Sequence, residues 1–252
     1  TEMLSGRKRY QRRMFERNQE LYMSTKYLSN VATANNIYIR LNNPESYAEE
    51  FSPLFTFDII PYSDMYIGVS FGNGAQTVHF RAKQGENCTI ESPLSEGDIT
   101  LIYGAKFIQA ISSLDRCYIG DNDFSKATKL QSIVLGNDDA DYSNTFLTSL
   151  SLESNPILEH LDVSNLVRLN DLKLQKCFNL KTLNAKGSGC KLIEFASGGK
   201  LTTCNLPEVE TLTLRSLHDL STYDIPNTNI QYLIVEETPN FDSYNFVNTA
   251  TK

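Results

Sequence analysis

From Phe107 onward the apolar positions fall into short runs written Leu-x-x-Leu-x-Leu. They begin at Leu130 (LQSIVL), Leu147 (LTSLSL), Leu158 (LEHLDV), Leu169 (LNDLKL), Leu180 (LKTLNA), Leu192 (LIEFAS), Leu201 (LTTCNL), Val209 (VETLTL), Leu220 (LSTYDI) and Ile230 (IQYLIV). Successive starts are 17, 11, 11, 11, 12, 9, 8, 11 and 10 residues apart. A step near 11 is half of the roughly 22-residue period of leucine-rich coils, so each coil is predicted to hold two runs. Alternate residues of a short strand point to one side, and stacked coils extend one hydrophobic column. The candidate column residues are Leu150, Leu152, Leu161, Leu172, Leu174, Leu183, Leu212, Leu214 and Leu233. Asn155, Cys177 and Thr238 follow their runs at a place where a small polar side chain can bond turn amides inside the coil. A plain all-β domain with leucine-rich strands is the alternative, but ten runs in register are hard to obtain by chance.

Upstream the period is two. β-rich stretches stand at IYIRL (37–41), FTFDII (55–60), MYIGVSF (65–71), TVHFRA (77–82), CTIES (88–92) and ITLIY (99–103), separated by turn-forming residues. The Gly72-Asn73-Gly74 turn tolerates the positive φ that tight hairpins need. Residues 5–28 change pattern again: Met14, Leu21 and Leu28 recur at sevens with Tyr10, Phe15 and Tyr22 beside them, which predicts an amphipathic helix. The expected fold is mainly β: an N-terminal helix (1–34), a small antiparallel β-sandwich (35–114) and a leucine-rich-repeat-like solenoid of roughly 11-residue half-coils (115–252).

Composition places these 252 residues, 40% hydrophobic and 21% charged, among globular chains and not disordered ones. No run approaches the ~18 apolar residues of a spanning helix, so no membrane span is expected. The formal charge of −7 is uneven. Residues 1–28 hold seven Lys/Arg against three Asp/Glu, a charge of +4; the other residues hold 16 against 27, a charge of −11. Arg9, Tyr10, Arg12, Arg13, Met14, Arg17, Leu21 and Tyr22 are therefore candidate anchor residues, with arginines on acidic neighbours and apolar side chains in a groove. A nucleic-acid partner is not expected, because nothing in the acidic body extends such a contact. At the other end Phe241, Tyr244 and Phe246 stay apolar, which predicts an exposed last coil covered by a neighbour or continued in a longer chain, with a small self-capped end as the alternative.

Chemistry is sparse. Cys88, Cys117, Cys177, Cys190 and Cys204 form no C-x-x-C pair and no zinc spacing with His79, His160 or His218, so they read as reduced thiols. Asp121-Asn122-Asp123 begins like a calcium loop, but Lys126 stands where the EF-hand needs Gly and Ser132 where it needs Glu. Asp138-Asp139-Ala140-Asp141 reads as a solvated turn, and Gly187-Ser188-Gly189 lacks the Lys-Thr or helix of a phosphate loop. With no G-x-S-x-G elbow either, the expectation is no enzyme, no cofactor and no metal.

The order SxKYL (24–28), PYSDMYIGVSFGNG (61–74), HFRAKQG (79–85), FSKATKLQSIVLG (124–136), YSNTFLTSLSL (142–152) and leucine-rich half-coils resembles tail proteins of gut bacteriophages. It is most similar to the tail-tip, or muzzle, component of crAss-like, short-tailed phages infecting Bacteroidales. The resemblance implies a multi-copy virion protein at the distal end of the tail, assembled in the host cytoplasm, where host attachment and genome ejection occur. Implied partners are other tail proteins, further copies of the chain and a host surface receptor. The rival expectation is a bacterial cell-surface leucine-rich-repeat adhesin. An enzyme whose acids meet only in the fold is a weaker third.

Overall fold

A computed structural model describes residues 38–42, 54–71, 76–93, 99–113, 122–138, 147–243 and 246. Six strands lie within one residue of the stretches predicted upstream: β1 (Tyr38–Asn42), β2 (Leu54–Pro61), β3 (Met65–Phe71), β4 (Gln76–Ala82), β5 (Cys88–Pro93) and β6 (Ile99–Tyr103). Two more were not predicted, β7 (Ile108–Ser113) and β8 (Asn122–Asp123). One antiparallel sheet has the order β4-β3-β6-β1-β8. Alternation sends Ile67, Val69, Val78, Phe80 and Ala82 to its buried side. The antiparallel trio β5-β2-β7 adds Phe57, Ile59, Cys88, Ile90 and Ile111 to the same hydrophobic cluster. The register of β2 on β7 shifts between Ile60 and Pro61, where proline has no N–H to give the ladder.

β7 then changes the character of the sheet, pairing antiparallel with β2 on one side and parallel with β9 (Ser132–Val134) on the other. The sheet continues through β11 (His160–Asp162), β13 (Thr182–Asn184), β15 (Thr203–Asn205) and β17 (Thr222–Asp224), all parallel. One inward column crosses all eight strands: Cys88, Ile59, Ile111, Ile133, Leu161, Leu183, Cys204 and Tyr223.

The alternate repeat units build the opposite wall. Its strands are β10 (Ser149–Ser151), β12 (Asp171–Lys173), β14 (Leu192–Glu194), β16 (Thr211–Arg215) and β18 (Tyr232–Glu236). β10 pairs with β12 and β14 with β16 and β18, and a Leu174–Phe195 bridge joins the two groups. Ten units thus give ten strands, two per turn, in a β-solenoid of about five turns. Turn amides bond one coil back: Glu159 N donates to Gln131 O at 2.8 Å, Lys181 N to Glu159 O at 2.8 Å and Thr202 N to Lys181 O at 2.8 Å. Leu150, Leu152, Leu161, Leu172, Leu174, Leu183, Leu212 and Leu214 are buried, and Leu233 packs partly buried against them.

One unit needs correcting. Leu192 does not open a run, because it is an outward strand residue, 48% exposed. The inward residues there are Cys190, Ile193 and Phe195, so the unit starts at Cys190. Its neighbours Leu180 and Leu201 are then 10 and 11 residues away, close to the others.

Candidate interaction surface

The column of small polar residues is the best-built polar feature of the solenoid. Asn155 is fully buried and its Nδ2 donates to the carbonyls of Ala127 (2.8 Å) and Phe124 (3.2 Å) in the preceding coil. Cys177 Sγ donates to Leu152 O and Cys190 Sγ to Leu169 O, both at 3.3 Å. Thr238 Oγ1 accepts from Leu217 N at 3.3 Å and donates to Glu236 O at 3.1 Å. The asparagine and the thiols thus serve carbonyls of the previous coil, where turn amides were expected. Only Thr238 takes an amide.

Cys177, Cys190 and Cys204 are free, buried thiols. Cys88 is also buried, with Sγ donating to Arg81 O at 3.6 Å. Burial pushes Cys177 and Cys204 up to about 12 and raises Cys190 as well. Thiolate-directed reagents should therefore label these three slowly at pH 8 until the chain is unfolded, as mass spectrometry of labelled peptides can check. The native state keeps its thiols protonated while the unfolded chain ionises above about 9, so the native form binds more protons and stability falls with rising pH from 9 towards 12. Melting temperatures of a Cys177→Ala/Cys204→Ala variant should fall less steeply over that range than those of the parent chain.

The outer side of the long sheet is polar. Parallel register aligns Ser132, His160, Thr182, Thr203 and Thr222 in one row and Val134, Asp162, Asn184, Asn205 and Asp224 in the next. Rungs bond sideways: His160 Nδ1 lies 2.8 Å from Thr182 Oγ1, Asn184 Nδ2 donates to Asp162 Oδ2 at 3.2 Å, and Lys181 pairs with Glu159 at 2.7 Å. That ion pair and hydrogen bond hold the Glu159 carboxyl below its ordinary range. The opposite wall differs, carrying exposed Leu192, Tyr232 and Ile234.

The last coil also departs from expectation. Phe241 and Phe246 were expected to be exposed contact residues with Tyr244, yet both are buried. Phe241 lies 5.0 Å from the rings of Tyr223 and Phe246, so aromatic side chains close the end of the column themselves. Tyr244 lies outside the described residues. Phe241→Ala should lower the chain's stability by about 3–4 kcal/mol, measured by urea unfolding, because it removes the centre of that lid.

The eight anchor residues Arg9, Tyr10, Arg12, Arg13, Met14, Arg17, Leu21 and Tyr22 lie outside the described residues, as do the 72–75 turn and Cys117. Asp123 Oδ1 accepts from Ser125 N at 2.8 Å, which is turn capping. The histidines stand apart: His79 on β4, half-buried, lowered by desolvation and with Nε2 unpartnered; His160 on β11; His218 in a turn. Among the described residues, no group of three or more His, Cys, Asp or Glu could hold a metal ion, and no helix is long and apolar enough to cross a membrane. The chain matches no protein-family model, no curated protein and no solved structure.

Proposed function

We propose that the chain is a non-enzymatic structural component of a phage tail or tail tip, of the muzzle kind, with leucine-rich-repeat-like coils. It is held in the assembly by a basic N-terminal helix and by its repeat surface, and it serves host attachment or genome delivery in the virion. The observation that carries this reading is the continuity of the long sheet. A single inward column runs from Cys88 on β5 to Tyr223 on β17, so base and solenoid share one core. Such a quasi-one-dimensional body offers long lateral walls for packing against neighbours, which suits assembly better than catalysis. Asn155, Cys177 and Thr238, bonding between coils, support the leucine-rich-repeat-like reading. The +4 of residues 1–28 against the −11 of the rest supports the anchor.

Peptide mass spectrometry of purified particles tests the proposal. Peptides from this chain should appear at a copy number comparable with other tail proteins, and their absence would overturn it. Recovery from the surface fraction of uninfected bacteria would instead establish the adhesin.

A further inference from the structure

The outer side of the last three strands on the second wall has a composition of its own. Register aligns Leu192, Thr211 and Tyr232 in one row, and Glu194, Thr213 and Ile234 in the next. Tyr232 is 67% exposed and Ile234 40%, unusual for large apolar side chains on one short sheet. Glu208, Glu210, Glu236 and Glu237, on these strands or in the adjoining turns, are all exposed, and Glu236 is paired with Arg215 of β16 at 3.0 Å. Within the solenoid the acidic charge is greatest in this part of the chain. Residues 192–243 hold eight Asp/Glu against two Lys/Arg, whereas residues 147–191 hold four against six. The chain's own complement is its N-terminal stretch, since residues 7–17 carry six Lys/Arg against one Glu, with Tyr10, Met14, Leu21 and Tyr22 interspersed or just beyond.

We propose that this patch on β14, β16 and β18 receives the basic N-terminal segment of a second copy of the chain, so that copies join head to tail. The proposal rests on the anchor reading of the N-terminal segment given above and names the surface the anchor grips. Tyr232, Ile234 and Leu192 meet the tyrosine, methionine and leucine side chains, and Glu208, Glu210 and Glu237 meet the arginines, an apolar centre with charged neighbours. Reach alone does not choose between the same chain and a second copy. β1 is separated from β18 by six strand steps through β8, β10, β12, β14 and β16, where Asn122 Nδ2 bonding Ser149 O at 3.0 Å links β8 to β10. At ~4.8 Å per step that is roughly 29 Å. Residues 23–37, between Tyr22 and β1, extend to roughly 50 Å, so a segment of the same chain also reaches Tyr232, and the choice of a second copy follows from the anchor reading, which places the segment on a neighbour. Between copies, a heterologous contact of this kind closes into a ring or propagates, whereas docking within one chain would leave the protein monomeric.

The test uses three full-length chains followed by sedimentation velocity across concentration and salt. The parent chain should self-associate, more weakly as salt rises. An Arg12→Glu/Arg13→Glu/Arg17→Glu variant and a Tyr232→Ser/Ile234→Ser variant should each associate at least about 30-fold more weakly, the scale of losing a buried anchor. Circular dichroism and melting should be unchanged for the second variant, whose two substitutions lie at the surface. Mixing the two variants should restore a one-to-one complex, because each supplies what the other lacks. Loss in both variants without restoration on mixing overturns docking between copies. If the serine variant associates like the parent while the glutamate variant does not, the patch is wrong and the anchor stands. If the parent chain is monomeric throughout, or both variants associate like it, the anchor reading fails too.

Discussion

Asn155→Asp is expected to be among the most damaging single-atom changes in the chain, although it keeps shape and volume. The side chain is fully buried, and its two donated hydrogen bonds go to the carbonyls of Ala127 and Phe124. Both partners are acceptors, so the atom facing them has to be a donor. A carboxylate there aims negative charge at two carbonyl oxygens, with Oδ1 already lacking a partner. Folding then favours the protonated acid, which raises the carboxyl pKa in the native state. The sign follows from linkage. A raised native pKa means the native state binds more protons than the unfolded one above about pH 4, so the variant loses stability relative to the parent as pH rises. At up to ~1.4 kcal/mol per pH unit the extra deficit between pH 4 and 7 reaches about 4 kcal/mol. Urea unfolding of both chains at pH 4, 5.5 and 7 measures it. A deficit independent of pH would show that the acid reaches water and that the site is not closed.

Much of this solenoid was legible because its two periods are simple. Leu-x-x-Leu-x-Leu puts the fourth residue inward on a short strand and the sixth inward at or just past its end, and ten such units gave ten strands on two walls. The reading slipped at Leu192, where an outward leucine beside Ile193 imitates a core position. Uneven steps of 12 and 9 around it marked the slip, since a start at Cys190 evens them to 10 and 11. β7 escaped notice for a different reason. Its buried residues, Ile108 and Ile111, are three apart, not two, and its sequence IQAISS is half polar. The strand exists because β2 and β9 flank it, which is tertiary information. The lid formed by Phe241 and Phe246 was equally hidden: a strand pattern places both on the apolar side but does not say that the column of Tyr223 ends beneath them. The exposed Tyr232 and Ile234 look, in sequence, like any apolar strand residue, and register alone sets them outside. Ser216 and Glu237 adopt left-handed φ of 53° and 48° without being Gly or Asn, so no residue type announced those turns.

Close approach between coils makes the second large prediction. Gly136 follows β9, and a Cβ built on it would run into the backbone N and O of Ser164, in the turn after β11, and would lie 2.5 Å from Asp162 Oδ1. Three backbone bonds hold the coils together at this point: Leu135 N to Asp162 O (2.9 Å), Gly136 N to Asp162 O (3.1 Å) and Asn137 N to Ser164 O (3.4 Å). Backbone cannot rotate aside as a flexible side chain can, so Gly136→Ala has to pry these turns apart and weaken the same bonds. Overpacking together with weakened hydrogen bonds should cost about 3–5 kcal/mol. Gly85→Ala supplies the contrast, because Gly85 has a φ of 72° but open space around it, and left-handed backbone alone should cost about 1 kcal/mol. Urea midpoints and native-state hydrogen exchange at Leu135, Gly136 and Asn137 distinguish the two. In the Gly136 variant protection should fall at those amides, whereas the Gly85 variant should leave them unchanged. Equal losses in both variants would mean that the coils can separate without resistance at this turn, and that the tight stacking inferred from Gly136 does not exist in solution.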